Sequence, residues 1–134
     1  MRACSVPGLE GRLSCRIKEI DRRLDKLVEE RYPQAKLLQQ VPGVGPVISL
    51  TFVPTIDDRN RFTRSRQVGA YLGLIPRQHQ SGERNPQLHI TKTGDSSLRA
   101  LLIQGAHYIL GWRGPDSDLR NWGLAHMERG GANA

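Results

Sequence analysis

The sequence predicts a mainly α-helical protein with a small β-hairpin or long ordered loop near its middle. Leucine and isoleucine recur at spacings of four and three over residues 13–27, which is the period of an amphipathic helix. Apolar residues return at helical spacing over residues 98–110, whereas residues 77–91 alternate loosely and include Gly82 and Pro86. The chain has 134 residues, 37% of them hydrophobic and 5% aromatic. It can therefore form one compact domain, or a small domain with an extension, around an aliphatic core.

The first predicted element is an amphipathic helix over residues 9–30. Its apolar seam spans two heptads and consists of Leu13, Ile17, Ile20, Leu24 and Leu27. Both a helix packed on its own domain and a coiled-coil arm account for this pattern, and the second predicts a homo-oligomer. We assign residues 1–32 to this coiled-coil-like helix.

A helix-hairpin-helix element follows. Pro33 ends the first helix, a short helix covers residues 34–40, and a second one begins at Pro46. Between them, Gly43 and Gly45 allow backbone conformations that other residues resist. Such a turn points backbone N–H groups outward at a helix N-terminus, where a phosphate oxygen can bind. The alternative is an ordinary helix–helix connector without a ligand.

Proline, glycine and capping residues mark the boundaries of the elements that follow. Pro54 kinks or ends the second hairpin helix. A further helix lies within residues 61–72, starting near Arg61 with Asn60 as its cap, or a turn later with Thr63 as its cap.

Two helices complete the prediction. One begins at Thr93-Gly94-Asp95-Ser96 and runs to the Gly114-Pro115 pair, and a last one covers residues 118–129. The predicted boundaries are therefore 33–112 for the helix-hairpin-helix domain and 113–134 for a partly disordered C-terminal extension.

Charge indicates a polyanionic partner. The net charge is +7, and almost all of it arises between Arg59 and Arg99, where the acidic residues are Glu83 and Asp95. We therefore expect nucleic-acid contact at six basic residues and at the two hairpin glycines. These eight positions are Gly43, Gly45, Arg64, Arg66, Arg77, Arg84, Lys92 and Arg99.

Other classes of site have little support. No Asp/Glu cluster has metal-ligand spacing, so we predict no metal site in this chain. Cys4 and Cys15 lack a CxxC pattern and are expected to be free thiols of a cytoplasmic protein. No apolar run has the length of a membrane span. Ser81, in Gln80-Ser81-Gly82, is by itself a turn residue, since a serine hydroxyl needs an activating base or cation to act as a nucleophile.

A series of motifs in a particular order resembles one family. The motifs are Val41-Pro42-Gly43-Val44-Gly45-Pro46, Arg61-Phe62, Tyr71-Leu72-Gly73-Leu74-Ile75-Pro76-Arg77, Gln80-Ser81-Gly82, Ile90-Thr91-Lys92-Thr93-Gly94, and Leu98-Arg99-Ala100-Leu101-Leu102 with Ala106. Over roughly residues 37–110 the chain resembles the C-terminal domain of transposases of the insertion sequence 110/116/902 group.

The resemblance implies a recombinase that cuts and rejoins DNA, in which Ser81 corresponds to a nucleophilic serine. It also implies an N-terminal RuvC-like domain with an acidic metal-binding cluster, a coiled coil between the domains, and in some members a structured guide RNA. Mg²⁺ is expected only with that RuvC-like domain. Since no such domain is visible here, the isolated chain resembles a fragment or truncated copy and is expected to be inactive alone. The rival prediction is a non-catalytic helix-hairpin-helix DNA-binding module, and a third is an interaction module that dimerises through the N-terminal helix.

Overall fold

The structure is a computed structural model that describes residues 8–77 and 89–131. These residues form α-helices and a 3₁₀ turn, but no strand. The helices are α1 (Leu9–Arg31), α2 (Pro33–Leu38), α3 (Pro46–Ile56), α4 (Ser65–Tyr71), α5 (Ser96–Leu110) and α6 (Asp118–Gly131), with the 3₁₀ turn at Arg59–Arg61. The mainly α-helical class predicted from the sequence is confirmed.

The chain divides into two compact units, Met1–Val53 and Pro54–Ala134. The division falls within α3. The boundaries expected at residues 32 and 112 rest on motifs rather than on packing, and they stay a prediction.

In the first unit, α1 begins and ends within one residue of its predicted bounds. Tyr32 interrupts the helix, and Pro33 starts α2, where its missing N–H costs no helical hydrogen bond. Val28 and Ala35 are buried, on the two helices that contact each other. Val28 is not part of the predicted seam, which is largely uncovered: Leu13 is 56% exposed and Ile17 59%.

The segment between α2 and α3 is held by side-chain hydrogen bonds. Gln39 Nε2 donates to Ser49 Oγ at 3.1 Å, and the fully buried Ser49 hydroxyl donates to the Pro46 carbonyl oxygen at 3.1 Å. Pro54 lies inside α3, which continues to Ile56. The alternative in which Pro54 ends this helix is therefore wrong, because a proline near the last turn removes only one helical hydrogen bond.

In the second unit, the helix predicted within residues 61–72 starts a turn later than Arg61. The Asp58 carboxylate accepts the Asn60 N–H at 2.8 Å and caps the 3₁₀ turn. α4 then begins at Ser65, and Gln67 Oε1 accepts the N–H groups of Thr63 at 2.8 Å and of Arg64 at 3.3 Å. A glutamine inside the helix thus closes its N-terminus, instead of a cap at Asn60 or Thr63.

α5 has the cap and the buried side that its sequence predicts. Asp95 Oδ1 accepts the Leu98 N–H at 2.6 Å, and Leu98 and Ile109 are buried. α6 contacts α5 and extends to Gly131, two residues beyond its predicted end.

The connection from α5 to α6 is fixed by one arginine. Arg120 Nη1 donates to the Ile109 carbonyl oxygen at 2.6 Å, to the Gly111 carbonyl oxygen, and to the Gly114 carbonyl oxygen at 3.3 Å. A Cβ added at Gly114 would meet the Ile109 carbonyl oxygen and the Arg120 guanidinium. The arginine thereby satisfies carbonyl groups that the end of a helix leaves without partners.

The expectation of free thiols is wrong for Cys15, which is disulfide-bonded in the structure. Spacing along the chain does not report which cysteines meet in space, so the missing CxxC pattern was a poor guide. Cys4 lies outside the described residues. None of the helices within residues 8–77 and 89–131 has the length and hydrophobicity that crossing a membrane requires.

Candidate nucleic-acid interface

Two segments of the second unit run antiparallel on either side of residues 78–88. The Lys92 N–H donates to the Gly73 carbonyl oxygen at 3.1 Å, and the Thr91 N–H donates to the Ile75 carbonyl oxygen at 2.9 Å. The Arg77 N–H donates to the His89 carbonyl oxygen at 3.1 Å, beside an antiparallel bridge between Pro76 and Ile90. Arg77 and His89, which flank residues 78–88, are therefore held next to each other.

Ser81 and Arg84 belong to residues 78–88 and lie outside the described residues. Their predicted roles, and the predicted turn around Ser81-Gly82, stay predictions. The described flanks carry two of the other predicted contacts, Arg77 and Lys92, and both side chains are exposed.

Close backbone contact holds the Tyr71–Gly73 turn against the Lys92–Gly94 segment. Gly73 has a φ of 69° and Gly94 a φ of 78°, in the left-handed region that favours glycine. A Cβ at Gly73 would meet the Thr93 carbonyl oxygen, and one at Gly94 would meet the Tyr71 carbonyl oxygen. Lys92 also has a positive φ, of 58°, which bends the chain into this contact.

Arg99 fastens α5 to the same turn. Its Nη1 donates to the Leu72 carbonyl oxygen at 3.1 Å and to the Thr93 carbonyl oxygen at 2.9 Å. At least one nitrogen of this predicted nucleic-acid contact is therefore used to hold the site together. Whether Arg99 also reaches a phosphate stays a prediction.

A cluster of one cation and two rings lies at the start of this unit. The Arg61 guanidinium carbon lies 5.8 Å from the Phe62 ring centroid and 5.5 Å from the Tyr71 ring centroid. The two rings meet edge to face, with their centroids 5.6 Å apart. Sequence reasoning did not include Arg61 among the contacts, because no local spacing joins a residue of the 3₁₀ turn to the last residue of α4.

Arg64 and Arg66 flank the first residue of α4, and both are exposed. Neither takes part in an ion pair between described residues. Their positive charge is therefore not neutralised by a carboxylate in the described parts of the chain, which suits contact with a polyanion.

The glycine hairpin of the first unit has one strained position rather than two. Gly43 has a φ of 82°, whereas Gly45 has no positive φ and a Cβ added there would meet nothing within 4 Å. The conformational argument therefore applies to Gly43 only, and contact of either glycine with a phosphate stays a prediction.

The described residues contain no group of three or more His, Cys, Asp or Glu side chains that could hold a metal ion. Mg²⁺ is expected only with the RuvC-like domain that the resemblance implies, and this stays a prediction.

Comparison with known proteins gives a consistent result. The model of the transposase family IS116/IS110/IS902 matches residues 35–120. The chain is 38% identical over 109 residues to the transposase for insertion sequence element IS1111A of Coxiella burnetii, covering 81% of this chain and 30% of that protein.

Two further relatives extend the comparison. A probable family 20 transposase of Pseudomonas aeruginosa is 34% identical over 122 residues, covering 90% of this chain and 36% of that protein. The pilin gene-inverting protein of Moraxella bovis is 31% identical over 94 residues, covering 67% of this chain and 29% of that protein. The chain spans about a third of the length of these relatives.

The family model matches well over half of the chain, and it includes the antiparallel segments, the Tyr71–Gly73 turn and the basic residues around them. The chain therefore belongs to the IS116/IS110/IS902 family of transposases.

Proposed function

We propose that this chain is the DNA-binding, serine-bearing C-terminal part of a transposase that cuts and rejoins DNA. The observation that supports this most is the hydrogen bond between Arg77 and His89, which holds the residues on either side of the Ser81 segment next to each other inside the basic region. Family membership and the relatives' names support the reaction class.

In the proposed chemistry, Ser81 Oγ attacks a phosphorus atom of the DNA backbone. An Oγ–P bond forms as the hydroxyl gives up its proton, and the bond from phosphorus to a deoxyribose oxygen breaks. That oxygen leaves with the electron pair and takes up a proton, so the net result is transfer of one proton from the serine hydroxyl to the leaving oxygen. Arg77 and Lys92 bind the phosphate and offset the charge that develops on it. The Mg²⁺ expected in the RuvC-like domain would supply further charge stabilisation.

The same proposal includes partners. DNA is the substrate, a structured guide RNA is a candidate partner as in some members of the family, and the cytoplasm is the expected location. The exposed seam of α1, with Leu13, Ile17 and Ile20, supports a homo-oligomer, because a second copy could cover apolar side chains that the first unit leaves open.

The alternative is a non-catalytic helix-hairpin-helix DNA-binding module. It is favoured by the positive φ of Gly43, which fits a tight turn before α3, and a helix N-terminus after such a turn can bind a phosphate. This alternative needs no chemical role for Ser81.

Substitution of the serine separates the two functions. In a full-length relative containing this domain, Ser81→Ala should abolish recombination and leave DNA binding intact, because only the covalent step needs the hydroxyl. Ser97→Ala, an exposed serine in the first turn of α5, is the matched control and should retain activity. Arg77→Ala and Lys92→Ala should weaken both binding and strand transfer, since a cation on a phosphate acts before and during the reaction.

Denaturing electrophoresis for a covalent protein–DNA adduct gives the readout. An adduct that persists in the Ser81→Ala protein would place the nucleophile elsewhere. Full recombination by that variant would favour the binding module. The 134-residue chain alone should form no adduct, with or without Mg²⁺.

A further inference from the structure

Two cationic side chains and one backbone N–H, from three different parts of the second unit, contact the Tyr71–Gly73 turn. The Arg61 guanidinium lies against the Tyr71 ring, Arg99 donates to the Leu72 carbonyl oxygen, and the Lys92 N–H donates to the Gly73 carbonyl oxygen. All three residues lie in the basic segment between Arg59 and Arg99, but Arg61 is not among the predicted contacts, and the fold places it against the Tyr71 ring.

Arg61 differs from Arg99 in how it is held. The contacts that fix Arg61 are with ring faces, which attract a guanidinium without using its N–H groups. No hydrogen bond or ion pair between described residues uses the Arg61 side chain, and the residue is exposed. Its planar set of donors is therefore oriented, and within residues 8–77 and 89–131 no other group uses it, so it can bind a ligand.

Neither of the two carboxylates that cap helical segments in this unit forms an ion pair with Arg61 between described residues. Asp58 accepts the Asn60 N–H, and Asp95 accepts the Leu98 N–H, so each caps the start of a helical segment. Around them, the exposed cations Arg59, Arg64 and Arg66 raise the local positive potential. An oriented, planar donor in a positive potential favours a negatively charged oxygen as its ligand. The phosphodiester groups of a nucleic acid match a guanidinium in both charge and geometry.

We infer that Arg61, oriented by the rings of Phe62 and Tyr71, binds a backbone phosphodiester of the nucleic acid and is the best-ordered single contact of this surface. The inference rests on the proposed nucleic-acid binding and adds to it a residue and a mechanism. The two rings reduce the conformational freedom that an exposed arginine loses on binding, so that more of each hydrogen bond contributes to affinity. DNA and RNA share the phosphodiester, so either can be the source.

The test compares two arginines of the same 3₁₀ turn. Arg61→Gln and Arg59→Gln remove the same charge two residues apart, and no ring contact is found for Arg59 among the described residues. Affinity of the full 134-residue chain is measured by fluorescence anisotropy with duplex DNA and with single-stranded RNA of equal length. Arg61→Gln should weaken binding about tenfold, as expected for a charge-assisted hydrogen bond, and Arg59→Gln about twofold.

The salt dependence provides a second readout. Losing one phosphate contact should reduce the slope of log K against log salt by about 0.9 for duplex DNA and about 0.7 for single strands. Arg61→Lys keeps the charge but not the planar donors, so it should lose about threefold in affinity with little change of slope. A loss confined to DNA or to RNA assigns the source of the phosphodiester, and an equal loss on both supports contact with the shared backbone.

A double-mutant cycle tests the role of the ring. In a Tyr71→Leu background, Arg61→Gln should cost about threefold instead of about tenfold, because the guanidinium is no longer oriented. Thermal unfolding of each variant checks that the fold persists, and Arg61→Lys serves if Arg61→Gln does not fold.

Equal losses for Arg59→Gln and Arg61→Gln, or an unchanged cost in the Tyr71→Leu background, would overturn the inference alone. A wild-type chain that binds neither nucleic acid would overturn both the inference and the proposed binding function. Loss of recombination in the Ser81→Ala relative is independent of all these outcomes.

Discussion

The arginines of α1 and those of the second unit carry the same charge but have different partners. On α1, Glu19 pairs with Arg16 at 3.2 Å and with Arg23 at 2.6 Å, and Glu29 pairs with Lys36 of α2 at 3.7 Å. In the second unit, Asp58 and Asp95 instead accept backbone N–H groups at the starts of helical segments.

The consequence is a different surface in each region. On α1 the acidic and basic residues nearly balance in number and some of them pair, and the helix also exposes apolar side chains: Leu13, Ile17 and Ile20. In the second unit two carboxylates serve as caps, and no ion pair between described residues involves its arginines. Total charge is therefore a poor guide to a binding surface, and the partners of each charged group are a better one. α1 is suited to a second apolar helix and the second unit to a polyanion.

The largest expected effect comes from a substitution in the apolar seam of α1. Ile20→Asp puts a carboxylate into the α1 seam. Each chain of a dimer should lose about 2 kcal/mol of the free energy that apolar burial contributes. For two chains, the dissociation constant of the dimer should therefore rise about a thousandfold. Light scattering over a range of concentrations measures the shift to monomer. Arg22→Asp, on the opposite side of the helix in the heptad, is the control and should stay associated. A wild-type chain that is monomeric at high concentration would contradict the prediction.

Gly94→Ala tests the architecture beneath the basic surface. Gly94 has a φ of 78°, and a Cβ there would meet the Tyr71 carbonyl oxygen. We expect a loss of about 3 kcal/mol in the free energy of unfolding, from backbone strain together with the clash. Gly69→Ala is the matched control. A Cβ at Gly69 meets nothing within 4 Å inside α4, so this change should stabilise the helix by about 0.5–1 kcal/mol. Urea titration measures both, and equal effects would mean that the turn is not held as described.

Paired substitutions compare the two sets of arginines directly. Arg64→Gln with Arg66→Gln should weaken duplex DNA binding about 30-fold, for roughly 1 kcal/mol per lost contact. Arg16→Gln with Arg23→Gln removes the same charge from α1 and should cost less than about threefold, because those guanidinium groups already pair with Glu19. Anisotropy at one fixed salt concentration decides between them. Similar losses would show that net charge alone governs binding.

The smallest effect concerns a carboxylate used as a cap. Asp95→Ala should lower the free energy of unfolding by about 1 kcal/mol, the usual contribution of an N-cap. Asp116→Ala removes a carboxylate from the α5–α6 connection and should change stability by less than about 0.5 kcal/mol. Thermal melts compare the two. If Asp95→Ala left stability unchanged and instead raised DNA affinity strongly, the carboxylate would be acting against the cations rather than as a cap.

Local chemistry predicted the helices and their ends well where one segment contains all the determinants. α1 and α5 follow from apolar spacing, and the start of α5 follows from Asp95 as its cap. The start of α4 was predicted less well, because Gln67 closes it from inside the helix. Pro54 does not end α3, because a proline near the end of a helix removes only one helical hydrogen bond.

Sequence by itself determined the mainly helical class, the basic segment and the ordered motifs that the family match confirms over residues 35–120. Tertiary structure alone decided that Arg61 meets Tyr71, that Arg99 bonds Leu72, and that Gly73 lies against Thr93. It also decided that Cys15 is disulfide-bonded. The physical reason is that periodicity and capping act over a few residues, whereas these contacts join residues from different elements, which only the packed core around Leu72 and Leu98 brings together.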